Sequence, residues 1–190
     1  MTLKNTHQHV RQYIQPKRYI ITGPPGSGKT SIIEGLQKKY PCVEESSRRF
    51  IIEELSRGGN RLPWKDVEAF DKAILQDRIL YYNKTTAPIS FFDRGIPDSL
   101  AYLKLAGANI NPEFFEASKK FRYETKVFFL PSWKEIYKTN EARKETFAEA
   151  LLIEKALKEV YKEQGYELII IPKLPVSKRI SLIEKIIRLN

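Results

Sequence analysis

The sequence predicts an α/β fold, a three-layer αβα sandwich built on five parallel strands, and three observations support this prediction. Five short segments are almost continuously apolar, as strands that are covered on both faces of a parallel sheet must be. Amphipathic helical patterns separate these segments, which is typical of βαβ units. The first apolar segment also runs directly into a glycine-rich stretch, in the order strand, loop and helix.

Each predicted strand has a recognisable end. Pro131 and Pro172 close two of them, since proline cannot donate to a strand ladder, and Asp93 closes a third. The predicted strands comprise residues 19–22, 41–44, 88–92, 127–130 and 168–171.

The predicted helices place apolar side chains on one face at helical spacing. Residues 29–39 align Ile32, Ile33 and Leu36, and the later helices follow the same pattern. Right-handed crossovers between parallel strands bring all carboxyl ends to one edge of the sheet, where ligands of such folds bind. The main helices are predicted at 29–39, 64–83, 148–164 and 176–189, with shorter ones ending near 56 and starting near 133.

Length and composition bound the class of protein. The 190 residues predict one domain, 18–190, after a polar extension at 1–17. Cys42 is the only cysteine and there are two histidines, which excludes a disulfide framework and disfavours a structural metal site. No apolar run reaches the ~20 residues of a membrane helix, and the N-terminus lacks a signal-peptide core. We therefore expect a reduced, cytoplasmic protein without a membrane span.

The net charge leaves the type of partner open. Thirty-three basic and 23 acidic residues give a formal charge of +10. Such an excess favours an anionic partner, such as a nucleotide, a nucleic acid or an anionic lipid. It is equally compatible with basic, solvated faces, because the basic residues are spread along the chain.

The glycine-rich stretch has the pattern G-x-x-x-x-G-K-[ST] of a phosphate-binding loop. Glycines let the backbone wrap a phosphate, and the following helix adds positive potential at its N-terminus. Lys29 is expected to reach the β- and γ-phosphate oxygens of ATP, and the Thr30 hydroxyl to bind Mg²⁺. The candidate nucleotide-binding residues are Gly23, Pro24, Pro25, Gly26, Ser27, Gly28, Lys29, Thr30 and Ser31.

The third predicted strand ends in Asp93, which is followed by Arg94. In a phosphate-loop protein the neighbouring strand presents an aspartate to Mg²⁺, and we assign this role to Asp93. The alternative is a helix cap or turn before Pro97. Arg94 stands where water-polarising ATPases usually carry a second acid, so it favours an enzyme with an anionic or polyhydroxyl acceptor. A structural ion pair is the alternative for Arg94.

The residues after the second strand lie on the same edge and are candidates for the acceptor side. Glu45, or else Asp93, is the candidate to accept a proton from an acceptor hydroxyl, and Arg48 to contact an anionic group. The alternative is that Glu45 or Ser46 caps the next helix. Arg78, on the third helix, is a further candidate for the same cleft.

Two adjacent cations, Arg143 and Lys144, lie between predicted helices after the fourth strand. Such a pair suits a lid that closes over phosphates, excludes water and neutralises developing charge. The alternative is the solvated start of a helix.

With these residues in place, the chain resembles the nucleoside and nucleotide kinase branch of P-loop proteins. It is similar to the small ATP-binding family labelled AAA domain or predicted ATPase, and to the ribosylnicotinamide kinase domain of bacterial NAD-synthesis regulators. The resemblance covers about residues 18–185 and is carried by the phosphate loop, Glu45 with Arg48, 93–95, Trp133 and 143–147.

The resemblance implies a strand order of 2-3-1-4-5, a small helical lid, binding of ATP and Mg²⁺, and phosphoryl transfer to a small acceptor. Around Asp93 the chain lacks the second nearby acid that the ribosylnicotinamide kinases tend to show.

Three hypotheses on function stay open at this point. The first is a kinase of a small anionic or hydroxyl-bearing, nucleoside- or nucleotide-like substrate, acting as a monomer or homodimer. The second is a regulatory NTP-binding switch or ATPase without such an acceptor. The third, a polynucleotide-end kinase or other nucleic-acid partner, is favoured only by the charge, since no aromatic and basic residues alternate as a single-strand platform.

Overall fold

The computed structural model describes residues 15–138 and 145–189. Within them, five strands form one parallel sheet in the order β2-β3-β1-β4-β5, which confirms the predicted fold class and strand order. The strands are β1 (Lys17–Thr22), β2 (Cys42–Val43), β3 (Ile89–Asp93), β4 (Lys126–Phe129) and β5 (Glu167–Ile170).

Seven α-helices of the described residues cover the two faces of the sheet. The main predicted helices are confirmed with shifted ends, and the helix predicted near 133 is a single 3-10 turn, Lys134–Ile136. The helices are α1 (Lys29–Leu36), α2 (Ser46–Ser56), α3 (Val67–Lys84), α4 (Ile96–Leu105), α5 (Pro112–Lys120), α6 (Phe147–Glu163) and α7 (Val176–Arg188). The helices α4 and α5 are absent from the helices predicted above.

Alternation along the central strand divides the interior into two cores. Tyr19 and Ile21 of β1 pack on one side with α1 and α7, whereas Ile20 packs on the other side with α4 and α6. All three side chains are fully buried. Both faces of β1 are therefore covered, which explains its continuous apolar sequence.

The strand register sets the height of the site residues. Ile21 of β1 is level with Asp93 of β3, and Thr22 is level with Phe129 of β4. The carboxyl ends of the central strands therefore lie at one edge, where the residues after β1, β2 and β3 meet. Across residues 15–138 and 145–189, no helix is both long and apolar enough to cross a membrane.

Candidate active site

The phosphate loop connects β1 to α1, and its glycines are required by the backbone. Gly23, Gly26 and Gly28 have φ values of 147°, 76° and 87°, a region that side chains disfavour. A Cβ atom on Gly23 would lie 2.2 Å from the carbonyl oxygen of Leu130, and one on Gly26 would lie 2.4 Å from the Tyr137 ring. The loop is therefore held tightly between the end of β4 and the segment that follows it.

Lys29 folds back over this loop. Its Nζ donates hydrogen bonds to the carbonyl oxygens of Gly23 (2.9 Å) and Pro24 (3.0 Å). Within the described part of the chain, no carboxylate forms an ion pair with it. Burial, and secondarily the charge of Arg94, lowers the pKa of Lys29 to about 8, so the amine is still charged at neutral pH. Lys29 is thus a buried cation that contacts only neutral acceptors.

The two hydroxyl residues after Lys29, Thr30 and Ser31, begin α1 and are exposed. Within the loop, the Oγ of Ser27 is buried, and no group in residues 15–138 or 145–189 forms a hydrogen bond with it. These residues, with the first backbone N–H groups of α1, leave donors available at the loop.

Asp93 ends β3 beside the loop, and one of its carboxylate oxygens, Oδ1, is buried and has no hydrogen-bond partner among the described residues. Burial raises the pKa of Asp93 to about 6, although the charge of Lys29 opposes this effect. Asp93 does not cap α4, because the cap residue is Gly95. The helix-cap alternative is therefore wrong, and the unpartnered oxygen fits a ligand of a hard cation such as Mg²⁺.

Arg94 is a non-glycine residue with a left-handed backbone, φ 72°. Its Nε donates to Glu45 Oε1 at 2.7 Å, and its Nη1 donates to Asp98 Oδ1 at 3.2 Å and to the Gly23 carbonyl oxygen at 3.3 Å. The guanidinium is 6% exposed. Arg94 therefore makes the structural ion pair that its position in the sequence left open, and it ties the phosphate loop to the residue after β2.

Glu45 occupies the cap position of α2, but its side chain caps no backbone N–H and turns to Arg94 instead. Burial alone would raise the pKa of Glu45, but the positive charges of Arg94 and Lys29 lower it below its ordinary value. Glu45 is therefore ionised at neutral pH and can only accept hydrogen bonds.

Asp98 is a site residue that the sequence analysis missed. It is fully buried and accepts hydrogen bonds from Thr22 Oγ1 (2.6 Å), Tyr161 Oη (2.5 Å) and the Gly95 N–H (2.8 Å), besides pairing with Arg94. Its carboxylate thereby joins β1, α4 and α6 under the guanidinium. A possible signal was its place three residues after Gly95, where an acidic side chain often returns to the helix start.

The other candidate arginines separate into buried and exposed ones. Arg78 of α3 is buried and donates to Ser99 Oγ, and its charge contributes to the lowered pKa of Glu45. Arg48 is exposed on α2, while the next residue, Arg49, pairs with Asp77.

The segment after β4 lies on the phosphate loop. The Tyr137 ring fills the space above Gly26, and Ile136 lies beside Gly28. The candidate lid residues Arg143 and Lys144 lie outside the described residues, so the lid stays a prediction.

The model of the AAA domain family matches residues 18–179 of the chain. This range includes the phosphate loop and every candidate residue described above. No curated protein sequence matches the chain.

Solved structures of kinases are similar in fold. Deoxyadenosine kinase from M. mycoides with bound dATP has a TM-score of 0.64 at 17% identity, over 90% of this chain and 99% of that one. Thymidylate kinase from Candida albicans has a TM-score of 0.67 at 14% identity, over 93% and 92%. The YorR protein from Bacillus subtilis, in complex with phosphorylated GDP, has a TM-score of 0.59 at 18% identity, over 91% and 96%.

Proposed function

The chain belongs to the AAA domain family, and on that premise we propose that it is a phosphotransferase that moves the γ-phosphate of ATP to a small acceptor. The acceptor carries a hydroxyl group and is nucleoside- or nucleotide-like. The observation that carries the proposal is the contact between Glu45 and Arg94, which holds an ionised carboxylate beside the phosphate loop. The fold shared with deoxyadenosine and thymidylate kinases supports the acceptor class.

On the nucleotide side, residues 23–31 would bind the polyphosphate of ATP. The backbone N–H groups from Gly26 to Thr30 are the expected donors, because Pro24 and Pro25 have none. Lys29 would exchange its two carbonyl partners for the β- and γ-phosphate oxygens. Phosphate oxygens are stronger acceptors for a buried amine than carbonyl oxygens are, which favours the exchange.

Thr30 and Asp93 would hold Mg²⁺. The orphaned Oδ1 of Asp93 and the hydroxyl of Thr30 are the oxygen ligands that this cation prefers. When bound, the ion neutralises charge on the β- and γ-phosphate oxygens. The chain's own part is to hold Asp93 level with the end of β1, where the charge of Lys29 opposes the rise of its pKa.

On the acceptor side, Glu45 would accept the hydrogen bond of the acceptor hydroxyl and then its proton. A bond forms between the hydroxyl oxygen and the γ-phosphorus while the bond to the β–γ bridging oxygen breaks. Arg94 keeps Glu45 ionised and orients it, and Arg78 and Arg48 would bind the rest of the acceptor. Arg143 and Lys144 would close over the phosphates.

The side chain after Asp93 favours transfer over hydrolysis. It is a guanidinium already bound to Glu45 and Asp98, and not a second carboxylate that could polarise water. We therefore expect slow ADP production in water alone and faster production with the right acceptor.

The test compares ADP production with and without a panel of nucleosides, nucleotides and sugars, for the wild type and Glu45→Gln. Glu45→Gln is expected to lower acceptor-dependent transfer by about 10²–10⁴-fold, the usual effect of a general base, with little change in ATP affinity. Glu44→Gln is the control, because Glu44 is the residue next to Glu45 and its carboxylate is exposed. Brisk hydrolysis that is insensitive to Glu45 and to every acceptor would favour a regulatory ATPase instead.

A further inference from the structure

Arg179, in the first turn of α7, is a buried cation. Its side chain is 3% exposed, and its Nη1 donates to the carbonyl oxygen of Ser27 at 3.3 Å. Its Nε is buried and finds no acceptor in the part of the chain that the structure describes. Among residues 15–138 and 145–189, no carboxylate forms an ion pair with Arg179, and burial lowers its pKa.

The guanidinium is fixed between the phosphate loop and the segment after β4. Its Nη2 lies 2.9 Å from the position that a Cβ atom on Gly28 would take. On another side, the guanidinium carbon lies 5.5 Å from the centre of a Trp133 ring. Glycine at position 28 is therefore required twice, by its positive φ and by the space that Arg179 fills.

A buried charge without a counter-charge destabilises the protein that carries it. The contrast with Arg94 is informative, because Arg94 is equally buried but has two carboxylate partners. Arg179 donates to one carbonyl oxygen, and the nearby Lys29 donates to two. Among the described residues neither cation forms an ion pair, and both border the same loop, whose bound phosphates would supply a direct anionic partner.

We propose that Arg179 is a positioning residue of the phosphate loop, held to it through the Ser27 carbonyl, and that the polyphosphate of a bound nucleotide compensates its charge. The proposal rests on the proposed function only in requiring that the loop binds nucleotides. It gives α7 a part in nucleotide binding without any contact to the acceptor.

The first test measures the affinity for ATP, ADP and AMP by isothermal titration, for the wild type, Arg179→Met and Arg179→Lys. Arg179→Met is expected to weaken ATP binding by about 5–150-fold, the usual range of coupling between sites. The loss decreases from ATP to ADP to AMP, because it follows the charge of the ligand, and Arg179→Lys recovers most of it. Lys178→Met, which removes an exposed charge from the same helical turn, is expected to leave all three affinities unchanged.

The second test measures the melting temperature without nucleotide. Since the charge is uncompensated in that state, Arg179→Met is expected to keep or raise the melting temperature while the gain on adding ATP shrinks. A lower melting temperature, with equal losses for all three nucleotides, would show a merely structural role and overturn the proposal. So would failure of both Arg179 variants to fold.

The outcomes also separate this proposal from the proposed function. If the wild type binds none of the three nucleotides, the proposed function fails and this inference fails with it. If the wild type binds them and Arg179→Met binds them equally well, only the inference fails.

Discussion

The two sides of the candidate site, the phosphate side around Lys29 and the acceptor side around Arg94, are joined by a hydrogen bond but differ in how their buried cations are paired. On the phosphate side, Lys29 and Arg179 are buried cations whose described partners are backbone carbonyl oxygens. On the acceptor side, Arg94 is bound by both Glu45 and Asp98. The two sides meet where Arg94 donates to the Gly23 carbonyl oxygen.

This difference indicates what each side is built to receive. Unpaired buried cations destabilise the free protein and favour a polyanion, which replaces the missing counter-charges. Paired ones form a rigid wall whose value lies in orientation. We infer that binding energy comes mainly from the nucleotide's phosphates, and that the acceptor side contributes positioning of the hydroxyl.

The largest expected effect concerns the acceptor side. Asp98→Ala leaves buried Arg94, Thr22 and Tyr161 with donors that have lost their acceptor. We expect the free energy of unfolding, measured by urea denaturation, to fall by about 3–5 kcal/mol, as when one partner of a buried ion pair is removed.

The control for Asp98→Ala is Asp77→Ala. Asp77 pairs with Arg49, whose side chain is 34% exposed, and such a pair contributes about 0–1 kcal/mol. Equal losses in the free energy of unfolding for the two variants would mean that the hydrogen bonds of Asp98 stabilise the protein no more than a surface ion pair does.

Lys29→Ala should lower turnover without lowering stability, in contrast to the loss of stability expected for Asp98→Ala. Its expected loss of turnover is about 10²–10³-fold, as for removal of one preorganised donor to the transition state. Because Lys29 has no carboxylate partner among the described residues, the melting temperature of the free protein should hold or rise. Enzyme kinetics measures the loss of turnover, and thermal unfolding measures the melting temperature. Lys38→Ala, which removes an exposed charge, is the control. Marked destabilisation with normal turnover would contradict the assignment of the loop.

The smallest effect concerns pH. The pKa of Asp93 is raised to about 6. Below this pH the carboxyl group is mostly protonated, and the proton competes with a metal ion for the carboxylate. Activation of ADP production by Mg²⁺ should therefore need about tenfold more Mg²⁺ at pH 5 than at pH 7.

Asp93→Asn serves as the reference for the pH measurement. It removes the titrating group, whereas the titration of ATP itself is common to both proteins. The same pH dependence in wild type and Asp93→Asn would exclude Asp93 as the group that titrates.

Sequence patterns predicted the elements that have a distinct signature. All five strands were recognised. The outer strands β2 and β5 are only partly buried but still contain apolar residues. The central strands β1, β3 and β4 are continuously apolar because both of their faces are buried. The helix α4 was missed for the same reason, since seven of its ten residues are buried and no amphipathic stripe remains. The helix α5 carried a usable signal, Asn111 before Pro112, in which Asn111 accepts from the Glu113 N–H.

The site was predictable where it is local in sequence. The phosphate loop is one continuous motif. Glu45 and Asp93 follow separate strands, and they were placed together because the carboxyl ends of parallel strands lie at one edge of the sheet. The role of Asp98 was predictable only in part, because Gly95 is three positions away but Thr22 and Tyr161 are 76 and 63 positions away. The contact of Arg179 could not be predicted, because Ser27 is 152 positions away. In the sequence, Arg179 is one more basic residue on an amphipathic helix.

The sheet edge also bears on how copies of the chain can associate. β2, one of the two outer strands, is only two residues long, and the other, β5, is four residues long and is followed closely by Pro172 and Pro175. Short edges and nearby prolines give a second molecule little backbone to pair with. Strand-to-strand joining, the usual route from a parallel sheet to aggregates, is therefore disfavoured for this sheet.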